Sequence, residues 1–191
     1  MMNRKLPLYI LLGLIAVLMM IVPSRVSGQT EVVGVRIPSG EMDERIRVSM
    51  PGEIVIDYGT FLWSVMTPQD LVELDWEGIA YQAIENPYTL TLGGQSFDPL
   101  VSMPAINPAW ETPSQDEGAR LHLVQFYGPT KSEWLEALED NGLVVLQYIH
   151  PFTYVVWGEN SAIELSSGKG FVRWTGDYLP AYAVQPQNRL L

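Results

Sequence analysis

The chain has 191 residues, of which 22 are acidic and 11 are basic, so its formal net charge is −11 at pH 7. This excess of negative charge repels nucleic-acid phosphates and anionic lipid head groups, which argues against both as partners. The sequence contains no cysteine, and it therefore excludes disulfides, a thiol nucleophile and thiolate metal ligands.

The first 28 residues have the three-part pattern of a secretory signal peptide. Arg4 and Lys5 form a charged start, residues 6–22 are an almost unbroken apolar run, and residues 26–28 (VSG) suit cleavage. The run is slightly shorter than the ~20 residues of a spanning helix, so we favour a cleaved signal peptide over a retained membrane anchor. We therefore expect a secreted or extracytoplasmic protein that meets the membrane only through this segment. Without it the chain has 8 basic and 22 acidic side chains, a formal net charge of −14.

Residues 29–52 form a lead-in segment interrupted by proline and glycine, and residues 53–95 form a partial α+β repeat. The TPQD sequence at residues 67–70 predicts a helix start with a threonine cap, and Gly78 predicts its left-handed end. Its expected buried stripe is Leu71, Leu74 and Val72. The other predicted elements are strands at residues 32–35, at 53–66 with a bend at Gly59, at 79–85 and at 88–92.

Residues 96–118 are a proline-rich linker, residues 119–182 a second and fuller copy, and residues 183–191 a tail. The TKSE sequence at residues 130–133 predicts a capping box, and Gly142 ends the helix that follows it. The predicted strands are 119–127, 143–149, 153–157 and 171–175, with a short helix at 160–166. This β-α-β-β-α-β order predicts an α+β fold of the ferredoxin-like split βαβ type, an antiparallel sheet with both helices on one face.

An internal repeat with an offset of 64 positions relates the two copies. Residues 86–94 (NPYTLTLGG) align with residues 150–158 (HPFTYVVWG), and Gly78 aligns with Gly142. Chance similarity of two βαβ units is the alternative, but the shared turn and helix end favour duplication. We expect the turn to join the two middle strands of each sheet. Residues 32–37 are a candidate for the strand that the first copy lacks.

Neither copy contains a recognisable catalytic constellation. His122 lies within a predicted strand and His150 directly precedes a proline, and neither has a serine or an acid at a spacing that a mechanism requires. Paired acids fall in loops or on the polar faces of helices, where solvated surface explains them better than acid–base chemistry. The six tryptophans are best explained as core or interface anchors. The sequence therefore predicts no enzyme, no cofactor and no metal site.

Patterned apolar residues with fixed glycines run through the second copy and continue upstream. These stretches are LVQFYGP (123–129), WLEALEDNG (134–142), YIHPFTYVV (148–156) and VRWTGDYLPAY (172–182), with IDYGTFLW (56–63), YTLTLGG (88–94) and FDPL (97–100) ahead of them. On these residues, the segment 119–182 resembles the pro-region that precedes the catalytic domain in secreted bacterial subtilisin-like serine peptidases, particularly the fervidolysin-like prodomain type.

The resemblance implies a ferredoxin-like domain that docks its sheet on the peptidase, helps it to fold and blocks its cleft until removal. It implies a partner-binding segment at Tyr178, Leu179, Pro180, Ala181 and Tyr182. The catalytic Asp, His and Ser motifs of the family have no counterparts here, so the chain is either a fragment of a precursor or a free-standing relative of the pro-region.

Three functional hypotheses follow. The first is a secreted prodomain-like module that acts as folding chaperone and inhibitor of a subtilisin-like serine peptidase, in cis or in trans. The alternative is a stand-alone extracellular module that binds a protein or peptide without a peptidase partner. A hydrolase is the weakest hypothesis, because no pair of nucleophile and base can be named.

Overall fold

The computed structural model describes residues 31–41, 50–52, 54–108 and 118–183. The predicted signal peptide, and the predicted tail beyond Ala183, lie outside these residues. In the described part the fold is α+β, as expected from the sequence, with two four-stranded antiparallel sheets, a two-stranded hairpin and four helices. None of these helices is long and apolar enough to cross a membrane.

The first sheet has the strand order β2-β3-β1-β4, and every neighbouring pair is antiparallel. Its strands are β1 (Val33–Pro38), β2 (Ile54–Asp57), β3 (Phe61–Met66) and β4 (Gln82–Glu85). The predicted strand at residues 53–66 is therefore two strands, joined by a tight turn in which Gly59 has a φ of 78°. Helix α1 (Pro68–Trp76) covers one face, where Val35, Ile37 and Leu74 form a buried cluster.

The predicted signals at both ends of α1 are confirmed. The Thr67 hydroxyl accepts a hydrogen bond from the backbone N–H of Asp70 at 3.3 Å, and the Asp70 carboxylate accepts one from the N–H of Thr67 at 2.7 Å. At the other end Gly78 has a φ of 69°, as a left-handed helix end requires. Leu74 is buried as predicted, but Val72 is exposed, so its place in the predicted stripe was wrong.

The second sheet has the strand order β10-β7-β9-β8, again antiparallel throughout. Its elements follow the predicted β-α-β-β-α-β sequence: β7 (Arg120–Phe126), α2 (Ser132–Asp140), β8 (Val144–Ile149), β9 (Thr153–Gly158), α3 (Asn160–Ser167) and β10 (Val172–Asp177). Alternate residues of β7 face opposite sides. Val124 and Phe126 pack with Trp134 of α2 and Ala162 of α3, whereas Leu123 belongs to a cluster on the other side.

Helix α2 begins differently from the prediction. Its N-cap is Lys131, with no side-chain cap, so the capping box predicted to start at Thr130 was wrong. Both α1 and α2 have nine residues, and their first residues lie 64 positions apart. Gly142 has a φ of 94°, and the N–H of Leu143 donates to the carbonyl of Leu138 at 3.1 Å, as that of Ile79 does to Leu74. The helix and the glycine at its end are therefore the part of the repeat in which the two copies are most alike.

The remaining strands of the two sheets are connected differently. In the first sheet, β1 lies between β3 and β4, the position that β9 holds between β7 and β8. The upstream candidate strand thus supplies a middle strand rather than the last one. The turn at residues 150–152 joins β8 and β9, the second and third strands of the second copy in chain order, although β8 lies at the edge of the sheet. The turn at Asn86-Pro87 does not make the corresponding connection in the first sheet. It leads out of the first sheet into the hairpin of β5 (Leu90–Leu92) and β6 (Gln95–Phe97).

The hairpin covers the face of the second sheet that lies opposite its helices. Leu90, Leu92 and Phe97 form a buried cluster with Leu123 and Val155 of that sheet. The predicted linker therefore starts too early, because its first two residues belong to β6. The hairpin that follows the first sheet thus completes a buried core of the second copy.

The two sheets meet at residues 127–129 (YGP). The indole N–H of Trp63 donates to the carbonyl of Tyr127 at 2.8 Å, and the hydroxyl of Tyr88 donates to the same oxygen at 2.9 Å. A Cβ on Gly128 would stand 2.6 Å from the Trp63 ring, closer than any side chain allows. This contact makes the described residues one packed unit.

Candidate functional site

The two copies of the repeated turn border one cleft of about 400 Å³. Its floor is the face of the first sheet that lies opposite α1, with Phe61 and the buried Trp63. Asn86-Pro87 stands at one wall and the turn at residues 150–152 (HPF) at another. Clefts of this size commonly hold small ligands or peptide segments, so the repeat marks a candidate binding site.

Arg36 is the cation of this cleft. Its guanidinium carbon lies 4.2 Å from the centroid of the Phe61 ring, a cation–π contact. Among the described residues no acidic side chain forms an ion pair with it. The fork of guanidinium N–H groups is therefore available to a carboxylate from a ligand.

A second cleft of about 380 Å³ continues the first and shares Arg36, Phe61 and Gln82 with it. Together they form a groove that follows the chain from Ala80 to Pro87 along β4. Strand β4 ends the order of its sheet, and within the described ranges it pairs only with β1. The groove itself lies over the face of the sheet, because β1 and β3 supply Arg36, Phe61 and Trp63 to its lining.

A second exposed feature lies at the edge of the second sheet. Val144 and Leu146 of β8 are each 54% exposed, and Trp157 of the neighbouring strand is 44% exposed. Val144 stands directly opposite Trp157 in the register, so their side chains share one face. Leu146 lies at the irregularity of the register between Val145 and Gln147. We call Val144, Leu146 and Trp157 the β8 surface. Exposed large apolar side chains that cluster in this way are typical of protein interaction sites.

The predicted partner-binding segment at residues 178–182 overlaps the short helix α4 (Pro180–Ala183). Ala181 and Tyr182 are buried, and the Tyr182 ring stacks on Phe97 at 6.1 Å between centroids. Of the five predicted residues only Pro180 is exposed, while Tyr178 and Leu179 are partly buried. The segment packs beside the hairpin and helps to cover the sheet of its own chain.

A partly buried ion pair that the sequence does not suggest holds the hairpin to the second sheet. Two guanidinium nitrogens of Arg173 lie 2.8 Å from the two carboxylate oxygens of Asp98. Arg173 also donates to the side-chain carbonyl of Gln125 at 2.7 Å and lies 3.9 Å from the centroid of the Tyr88 ring. The two charged residues are 75 positions apart, so no local pattern in the sequence connects them.

The two histidines have different surroundings. His122 is 2% exposed, with Nδ1 3.3 Å from Asp177 and Nε2 3.2 Å from the carbonyl oxygen of Gly158. Burial lowers the pKa of His122, and the nearby Arg120 lowers it further, while Asp177 and the Gly158 carbonyl offset part of this effect. A substrate cannot reach this buried imidazole, whereas His150 is exposed and borders the cleft.

The described residues hold no group of three or more acidic or histidine side chains that could bind a metal ion. Residues 91–179 match a family described as a domain of unknown function (DUF8729). No curated protein and no solved structure matches the chain. The matched segment contains most of the hairpin as well as the whole second sheet, which agrees with the packing of the hairpin on that sheet.

Proposed function

We propose that this chain is a secreted, non-catalytic module that binds a subtilisin-like serine peptidase, assists its folding and inhibits it. The observation that carries the proposal is the β8 surface, an exposed apolar edge on a module with β-α-β-β-α-β order. The choice of a subtilisin-like peptidase as the partner rests on the sequence resemblance of residues 119–182. A module that binds only the folded peptidase stabilises it by mass action, which is how such a partner promotes folding.

We also propose that the second sheet with α2 and α3 has the ferredoxin-like arrangement. The strand order β10-β7-β9-β8 supports this, because the fourth, first, third and second strands of the module are neighbours in that sequence. Contacts of both helices with Val124, Phe126 and Val156 on one face support it as well.

The β8 surface suits a protein partner for two physical reasons. Burying Val144, Leu146 and Trp157 removes apolar area from water, and tryptophan is prominent among residues that dominate binding energy. The outer edge of β8 is also unpaired in the described structure, so a partner strand can add backbone hydrogen bonds there. No charged side chain lies within β8 itself.

The test is inhibition and refolding of a secreted subtilisin-like peptidase from the source organism by purified residues 29–191. We expect dose-dependent inhibition and a higher yield of refolded peptidase. Trp157→Ala should raise the inhibition constant about 30-fold, the equivalent of a ~2 kcal/mol hot spot. Trp76→Ala is the matched control, because Trp76 is 86% exposed on α1. Absence of both inhibition and refolding assistance would refute the proposal.

The second candidate is a stand-alone module that binds an extracellular protein or peptide. It is favoured by the hairpin and α4, which cover the centre of the sheet face that a pro-region would dock on its peptidase. Among the described residues, Val144 and Trp157 at the β8 margin remain exposed on that face. A reading frame that continues beyond codon 191 into peptidase motifs would exclude this candidate.

A further inference from the structure

We propose that residues 100–106 (LVSMPAI) form an inhibitory loop, which enters the active-site cleft of the peptidase and places Met103 in a pocket for apolar side chains. The inference rests on the proposed function, since it assigns the part of the module that blocks the peptidase. The segment at residues 178–182 packs against its own hairpin through Tyr182, so a different part of the chain has to reach the cleft.

The inhibitory loop presents apolar side chains to solvent without any charge beside them. Leu100 is 58% exposed, and Val101 and Met103 are each 51% exposed. Residues 99–108 contain no charged side chain, although the exported chain has a formal charge of −14. Clustered exposed apolar side chains are typical of interaction sites, and these side chains suit a partner whose pockets accept apolar groups.

Both ends of the inhibitory loop are held on the body of the module. The carbonyl of Asp98 accepts hydrogen bonds from the N–H groups of Val101 and Ser102, at 3.0 and 2.9 Å. The Asp98 carboxylate is itself paired with Arg173. At the other end Ile106 packs against the buried cluster that the hairpin forms with the second sheet. A loop that is anchored in this way loses little conformational freedom when it binds.

The backbone between the two anchors suits a peptidase cleft. Residues 102–107 belong to no helix or strand of the described chain. Met103 and Ala105 are exposed, whereas Pro104 and Ile106 are partly buried, and this alternation is typical of an extended chain. An extended segment can pair with a partner as an added strand. Met103 points away from the module, so its side chain is free to enter a pocket of the peptidase.

Pro104 explains how the inhibitory loop can block a peptidase without being cut. The peptide bond after Met103 contains the proline nitrogen, which carries no hydrogen and is part of a ring. A serine peptidase cleaves a bond by donating a proton from its histidine to this leaving nitrogen, and the ring atoms crowd that approach. The bond next to the pocket therefore resists hydrolysis while Met103 keeps the pocket occupied.

The inhibitory loop and the β8 surface lie on the same side of the second sheet. Trp157 is two positions from Val155 in β9, so the two side chains share a face. Val155 belongs to the buried cluster against which Ile106 packs. One peptidase molecule can therefore contact the β8 surface while the inhibitory loop occupies its cleft.

The experiment measures the inhibition constant of residues 29–191 and its variants against the secreted subtilisin-like peptidase. Met103→Asp should raise the inhibition constant about 100-fold or more, because an apolar pocket would have to take up an unpaired carboxylate. Leu165→Asp is the matched control. It adds the same charge at a side chain that is 64% exposed on α3, and α3 packs on the other face of the sheet, so inhibition should be unchanged.

A second variant tests the role of the proline. Pro104→Ala should turn the module from an inhibitor into a substrate. Hydrolysis of the peptide bond after Met103 takes up one water and gives two fragments, which mass spectrometry identifies, whereas wild type should stay intact under the same conditions.

The possible outcomes separate the inhibitory loop from the proposed function. Absence of inhibition by wild type would overturn both. Inhibition by wild type that Met103→Asp leaves unchanged would overturn the inhibitory loop alone, as would cleavage of wild type after Met103 or a Pro104→Ala variant that is not cut there. A dimer of the isolated module that Met103→Asp dissociates would assign the loop to a second copy of the chain, and would thereby overturn the assignment to a peptidase.

Discussion

Replacing Arg173 by methionine tests whether the partly buried ion pair between Arg173 and Asp98 holds the hairpin on the second sheet. The substitution keeps an unbranched apolar side chain of similar length but removes the charge and three hydrogen bonds, two to Asp98 and one to Gln125. It leaves the Asp98 carboxylate, which is only 16% exposed, without its cation. Asp98 also anchors the turn after β6, where its carboxylate accepts a hydrogen bond from the N–H of Leu100 at 3.0 Å.

Breaking a buried pair by removing one partner costs about 3–5 kcal/mol, and the partial exposure of Asp98 places this pair near the lower end. We therefore expect Arg173→Met to lower the free energy of unfolding by about 3 kcal/mol. For a unit of this size that corresponds to a fall in Tm of about 6–12 °C. Asp98→Asn removes the charge but keeps an oxygen that can accept the Leu100 hydrogen bond. It therefore isolates the contribution of the charge to the free energy of unfolding.

The assay is chemical denaturation of wild type, both single variants and the double variant Arg173→Met/Asp98→Asn. The double-mutant cycle should give a coupling energy of about 2 kcal/mol between the two residues. Hydrogen exchange should quicken first in the hairpin at residues 90–97. Additive single effects, or a loss below about 1 kcal/mol for Arg173→Met, would refute a stabilising role for the pair.

Two further predictions concern pH and helix capping. The folded pKa of His122 lies below its ordinary 6.5, so the unfolded chain takes up the proton first and stability falls as the pH drops below about 6.5 towards the folded value. Thermal melts between pH 7 and pH 5 should therefore show a steeper loss of Tm for wild type than for His122→Gln, and parallel curves would contradict this assignment. Thr67→Ala should cost about 1 kcal/mol of stability, whereas Thr130→Ala should cost little because Thr130 caps no helix. Urea denaturation compares the two variants, and equal losses would contradict the cap assignment.

The sequence predicted the elements whose signals are local. The end of α1 depends on Gly78 and that of α2 on Gly142, and each glycine acts within a few residues of its own helix. The alternation of Leu123 and Val124 in β7 likewise follows from the pleat of a single strand. For the same reason the order of elements in the second copy could be predicted without knowledge of what they pack against.

The arrangement of the first copy depends on contacts that no local pattern reports. Val33–Pro38 has the composition of a strand, but only the tertiary structure places it between β3 and β4. The resemblance implied a partner-binding role for residues 178–182, and no local pattern indicated that Tyr182 stacks on Phe97, which lies 85 positions upstream. The groove at Arg36 was missed because its walls come from strands and turns of both copies.

The position of the hairpin has a consequence for the order in which the chain can fold during synthesis. Leu90, Leu92 and Phe97 leave the ribosome before any strand of the sheet that they cover, and Tyr182 completes their cluster last. Domains usually fold one after another as they emerge, but here the first copy keeps an apolar hairpin without a partner until almost the whole described chain has been made. Contacts over such long separations slow folding. A nascent chain that stops before the second sheet begins at Arg120 should therefore keep the apolar face of its hairpin exposed.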